Sequence, residues 1–117
     1  MTYVDGMIAA VPTARKDDYR AHAEQAAVVF KRHGALSLVD CWGDDVPEGE
    51  TNSMRSAVLL KPDETVVFSW IIWPDKATRD AGVAKVMADP EMAPETNPMP
   101  FDGKRLIFGG FQKIFEA

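Results

Sequence analysis

The chain has 117 residues, 46% of them hydrophobic and 26% charged, the composition of one ordinary globular domain able to bury roughly two thirds of its unfolded surface. Thirteen basic residues against 18 acidic ones leave a formal charge of -5 and no basic stripe, so no nucleic-acid partner is expected. No apolar run approaches the ~18 residues of a membrane span, no secretory leader pattern opens the chain, and the single cysteine, Cys41, cannot close an internal disulfide; no membrane association and a cytoplasmic location are expected.

Residues 3–11 form a first strand that ends at Pro12. Residues 14–33 carry Tyr19, Ala23, Ala26, Ala27 and Phe30 at helical spacing, with Thr13 placed to cap the start and Gly34 to stop the end. A second strand is expected over 36–43, then a polar loop over 44–53. Residues 54–61 fit either a short helix or an extra strand. The third strand, 65–73, is apolar on both faces: Val66, Phe68, Trp70 and Ile72 point one way, and Val67, Ile71 and Trp73 the other. Pro74-Asp75 opens a second helix with the stripe Ala77, Ala81, Ala84 and Met87, which stops before Pro90. Residues 90–100 hold Pro90, Pro94, Pro98 and Pro100 and form an ordered loop. The fourth strand, 104–115, again has two apolar faces, and Gly109-Gly110 within it marks a bulge or a close backbone approach.

This order predicts a single α+β domain over residues 1–117. Its expected architecture is a ferredoxin-like βαββαβ antiparallel sheet with strands one and three central, strand four beside strand one, and two helices on one face. The other face is then bare and apolar, which predicts a homodimer packed sheet against sheet, with Trp73 and Phe111 in the interface. The alternative is that 54–61 or 90–100 folds over that face.

Several residue types carry potential chemistry. Cys41 with His22 or His33 would make a nucleophile and base, but a lone strand cysteine more often lies buried and inert, which is the expectation here. His22 and His33 lie eleven residues apart on one helix, about 16 Å along its axis, and cannot share a metal. Asp44, Asp45, Glu48 and Glu50 lack the ligand spacing and central glycine of a calcium loop, and no glycine motif cradles a phosphate, so neither a metal nor a cofactor is expected.

What remains is a mixed cluster. Trp42, Trp70 and Trp73 supply apolar walls, and Asp5, Asp40, Arg55, Asp102, Lys104 and Arg105 supply polar groups, in the style of a small-molecule pocket. His22 or Asp40 would move a proton if the site were catalytic. In the competing reading the tryptophans fill a dimer core and the charges form ion pairs, Asp5 with Lys113 among them. Pro100 and Asp102-Gly103 make a turn that sets the register of strand four, with Lys104 and Arg105 starting that strand on opposite faces.

The segments Tyr3-Val4-Asp5-Gly6, Cys41-Trp42, Asp45-Val46-Pro47, Arg79-Asp80-Ala81 and, most specifically, Met99-Pro100-Phe101-Asp102-Gly103-Lys104-Arg105 resemble the YbaA-like family of small bacterial proteins of unknown function. The resemblance runs from Tyr3 to about Phe111. It implies the dimeric α+β barrel superfamily, which also holds cofactor-free quinol monooxygenases, haem-degrading monooxygenases and small isomerases; it carries over no catalytic residue. Three functions are therefore expected to compete: a binder of a small hydrophobic or aromatic metabolite, a cofactor-independent monooxygenase- or isomerase-like enzyme, and a structural or regulatory dimer that binds a protein.

Overall fold

Two long strands carry the sheet because each is apolar on both faces and must be covered from both sides. In the computed structural model, which describes residues 2–117, β1 (Tyr3–Pro12) pairs antiparallel with β3 (Glu64–Trp73) along its whole length, from Tyr3 opposite Trp73 to Pro12 opposite Glu64. β2 (Ser37–Trp42) lies outside β3, and β4 (Ile107–Gln112) lies outside β1, giving the antiparallel order β2-β3-β1-β4. α1 (Lys16–Arg32) and α3 (Lys76–Ala88) pack on one face, while α2 (Met54–Ala57) is a single turn between β2 and β3. The architecture is the expected ferredoxin-like α+β sheet.

The helix-covered face holds two clusters. Tyr3, Ala35, Ile71 and Trp73 form one with Phe30 and Val83 against it, and Ala9, Val11, Tyr19 and Val67 form the other. Trp73 is therefore core beneath the helices and not an interface residue, since residues that alternate with Trp70 along the strand point to the helix side. On the opposite face, the segment leading into β3 lays Val58 over Ala10 and Val66, with Val46 and Leu60 alongside. A reciprocal Ser53–Ser56 capping box holds the short helix in that segment. Residues 54–61 thus cover one end of the open face. The rest stays bare, with Phe68 41%, Ile107 40% and Phe111 60% exposed, and Ile8, Val39, Trp70 and Ile72 half-buried between them.

Local departures from the sequence pattern have physical causes. α1 starts later than expected, after a 3-10 turn at Thr13–Arg15, because the Thr13 hydroxyl bonds the Thr65 hydroxyl at 2.7 Å and does not cap the helix. α3 is capped by Asp75, whose carboxylate accepts from the Thr78 backbone N–H at 2.7 Å. Its buried face is Gly82 and Val86, while the stripe Ala77, Ala81, Ala84 and Met87 faces outward. Gly82 causes the rotation: a Cβ there would lie 2.5 Å from the Trp73 ring and from the His33 carbonyl oxygen, so the bare backbone is what lets the helix settle on the indole.

β4 is shorter than expected because Gly103–Arg105 coils into a 3-10 turn, with the Asp102 carboxylate accepting from the Lys104 backbone N–H at 3.0 Å. Lys104 and Arg105 therefore do not open the strand on opposite faces. The β1–β4 register runs unbroken through Gly109-Gly110, so there is no bulge; a Cβ on Gly110 would strike the Tyr3 hydroxyl and come within 2.8 Å of Arg79 Nη2. The close-approach alternative is the one realised.

Candidate functional site

Between α1 and the β2 edge of the sheet lies an open cleft of about 450 Å³. Its apolar lining comes from Ala23 and Ala27 on α1 and from Leu38, Trp42 and Val67 on the sheet. Leu38, Asp40 and Trp42 alternate along β2, which places all three on the helix-facing side and brings one carboxylate between two apolar walls. A buried tyrosine needs a partner for its hydroxyl, and Tyr19 finds it in Asp40, donating to Oδ1 at 2.6 Å. Burial first, and then the Asp40 carboxylate, push the Tyr19 phenol well above its ordinary pKa, so it acts as a donor and not as an anion. Lys16 lies over the Trp42 ring, its ammonium 5.5 Å from the centroid, and Phe101 packs 5.8 Å from the Tyr19 ring behind the wall.

Of the candidate residues drawn from the sequence, the structure brings Asp40 and Trp42 together here, with Cys41 between them on β2. The three tryptophans sit in three places: Trp42 in the cleft, Trp70 on the open face beside Phe68, and Trp73 fully buried. His22 lies outside the cleft lining. Its Nδ1 donates to the buried Asn97 side-chain oxygen at 2.9 Å, and Asn97 Nδ2 returns a bond to the His22 carbonyl, which locks the 90–100 loop onto α1. Arg55 lines a shallow depression on the other face and reaches Glu48 at 3.8 Å. Cys41 is exposed, contrary to the buried position expected of it, because β2 is an edge strand and its residues alternating with Asp40 and Trp42 point to the open face beyond the part that residues 54–61 cover. Asp5 pairs with Arg79 at 2.9 Å and accepts from Trp73 Nε1 at 2.9 Å; Lys113 is bound to Glu116 instead. Among the described residues no three His, Cys, Asp or Glu side chains gather as a metal site.

Lys104 and Arg105 behave differently from each other. Arg105 makes a bidentate pair with Glu64 at 2.7 and 2.6 Å, bonds Asp102 at 3.1 Å, and donates to the Leu59 carbonyl at 3.0 Å. That last bond fastens a turn in which Leu59 adopts a left-handed φ of 51°. Lys104 is exposed. Arg105→Ala is therefore expected to lower the melting temperature clearly and Lys104→Ala to leave it unchanged.

The pair also sets an acid dependence. The Arg105 guanidinium holds the Glu64 carboxyl down to about 2 from its ordinary 4.5. Because this pKa is depressed in the folded chain, the stabilisation is fully present above pH 4.5 and is lost as pH falls toward 2. The gap in melting temperature between wild type and Glu64→Gln is expected to be widest above pH 4.5 and to close on acidification; a gap independent of pH would contradict it.

Residues 2–103 match the family described as "Protein of unknown function (DUF1428)". The chain belongs to the DUF1428 family. One relative, the uncharacterized protein YbaA of Escherichia coli, is 51% identical over 116 residues, 99% of each chain, in agreement with the resemblance drawn from the sequence segments. A dimeric ferredoxin-like protein from an uncultured marine organism has a TM-score of 0.65 at 13% identity, covering 99% of this chain and 98% of its own. SnoaB, a cofactor-independent oxygenase from Streptomyces nogalater, has a TM-score of 0.59 at 14% identity, covering 98% and 95%. At these identities the likeness establishes the fold of this DUF1428 chain and nothing about its activity. No helix among the described residues is long and apolar enough to cross a membrane.

Proposed function

We propose that the protein is a cytoplasmic homodimer whose subunits pack through the open faces of their sheets and each hold a small aromatic molecule in the cleft between α1 and β2. The observation that carries the ligand reading is the convergence of an indole, an apolar floor and one oriented carboxylate in a cleft of about 450 Å³, a size and make-up typical of small-molecule sites. The bare strip from Phe68 to Phe111 supports the dimer, because a single chain leaves it in water. The exposed, unpaired Cys41 suits a reducing compartment.

A catalytic reading rests on the same wall. Asp40, oriented by the Tyr19 hydroxyl and with its second oxygen open to the cleft, is placed to take a proton from a bound molecule, and SnoaB, which shares the fold, is described as a cofactor-independent oxygenase. In that reading the bound molecule would be recovered altered from wild type and unaltered from Asp40→Asn.

The three indole N–H resonances make the binding test specific, since each tryptophan sits in a different environment. Titrating a set of small aromatic compounds into nitrogen-15-labelled protein should move the Trp42 indole resonance and leave that of Trp73 in place. A set in which no compound moves Trp42, or in which every effect falls on Trp70, would overturn the assignment of the cleft.

A further inference from the structure

The charges around the cleft are not all alike in their partners. Arg20 reaches Glu24 at 3.4 Å and Arg15 reaches Asp18 at 3.1 Å, while Asp17 and Asp18 in the first turn of α1 offset the positive end of the helix. Asp17 and Asp40 line the same cleft without an ion pair among the described residues, and of the two it is the exposed Asp40 that is oriented, by one hydrogen bond from the neutral Tyr19 hydroxyl. Its second oxygen accepts from no donor among the described residues and is open to solvent at the cleft mouth. Two residues along the same strand and on the same face, the Trp42 ring already accepts a cation, because Lys16 from α1 holds its ammonium over it. A carboxylate without a cation and a ring face holding an exposed one are therefore side by side at the mouth of an apolar cleft.

We propose that the cleft selects a small aromatic or apolar molecule bearing a positively charged amine, whose ammonium sits between the Asp40 carboxylate and the Trp42 ring face and displaces Lys16. The proposal rests on the cleft reading above and adds the charge of its ligand. A ligand ammonium gains a charge-assisted bond to Asp40 and an aromatic face. An anion of the same shape would be set against Asp40.

Three probes of one shape and different charge test this by calorimetric titration of the full chain: 2-phenylethylammonium, 2-phenylethanol and 3-phenylpropionate. The cation should bind roughly tenfold more tightly than the alcohol, with the propionate weakest. Asp40→Asn, which keeps an oxygen for the Tyr19 hydroxyl, should bring the affinity of the cation down to that of the alcohol. Lys16→Met should raise the affinity of the cation by removing the internal competitor, and it provides a second readout if Asp40→Asn proves unstable. Equal binding of cation and alcohol by wild type, or a preference for the propionate, would overturn the charge assignment while leaving the cleft as a binding site. If none of the three binds, the cleft reading falls and the proposal with it.

Discussion

Trp73→Ala is expected to lower the free energy of unfolding by about 3–5 kcal/mol, a large share of the ~5–15 kcal/mol that holds a domain of this size together. Trp73 is fully buried at the point where β3, α1 and α3 meet, edge-on to Phe30 with ring centroids 6.1 Å apart. Gly82 is kept bare to admit it, so the space left by the indole is walled by backbone and cannot readily collapse. Its N–H also donates to Asp5, which Arg79 grips from α3. Trp73→Phe keeps most of the ring and leaves Asp5 its Arg79 partner, so it should cost much less. Denaturant unfolding monitored by circular dichroism distinguishes the two variants; a Trp73→Ala loss no larger than that of Trp73→Phe would contradict the placement of this indole at the centre of the core.

The second large effect concerns the open face. Phe68→Arg and Phe111→Arg each put a guanidinium into the bare apolar strip, where a second subunit would have to bury it without a partner. An unpaired charge in such a place costs several kcal/mol, on the order of the whole surplus of a modest interface. Each variant is expected to elute as a folded monomer in light-scattering chromatography. Met87→Arg is the control, because Met87 is 82% exposed on the outward side of α3, and this variant should keep the wild-type mass. A dimer that survives both sheet substitutions would place the interface elsewhere.

Legibility in the sequence followed from how local each feature is. The two-sided apolar alternation of residues 65–73 showed a strand that needs cover on both faces, because the strand period needs only neighbouring residues to show itself, and the order of elements then placed that strand at the centre of the sheet. That same period says which residues share a face but not which face meets the helices, so Trp73, expected in the interface, proved to be core beneath the helices. The α3 stripe went astray for a related reason: Ala77, Ala81 and Ala84 are apolar by type, yet the contact is decided by Gly82 and the size of the Trp73 ring, a fit that no hydrophobic pattern records. The candidate site was half visible. Asp40 and Trp42 were named among the polar groups and apolar walls of one mixed cluster, whereas Tyr19 was absorbed into the helix stripe because its partner lies 21 residues away. A tyrosine on a buried stripe facing a strand that carries one aspartate was the available signal. Arg105 and Glu64, 41 residues apart, gave none.

A native mass spectrum of the protein purified without unfolding shows directly whether two chains assemble and each keeps a small molecule in its cleft. The expected spectrum shows a species of twice the chain mass carrying up to two copies of a small adduct, and a Trp42→Ala dimer that has lost the adduct. A spectrum of bare single chains at micromolar concentration would contradict it.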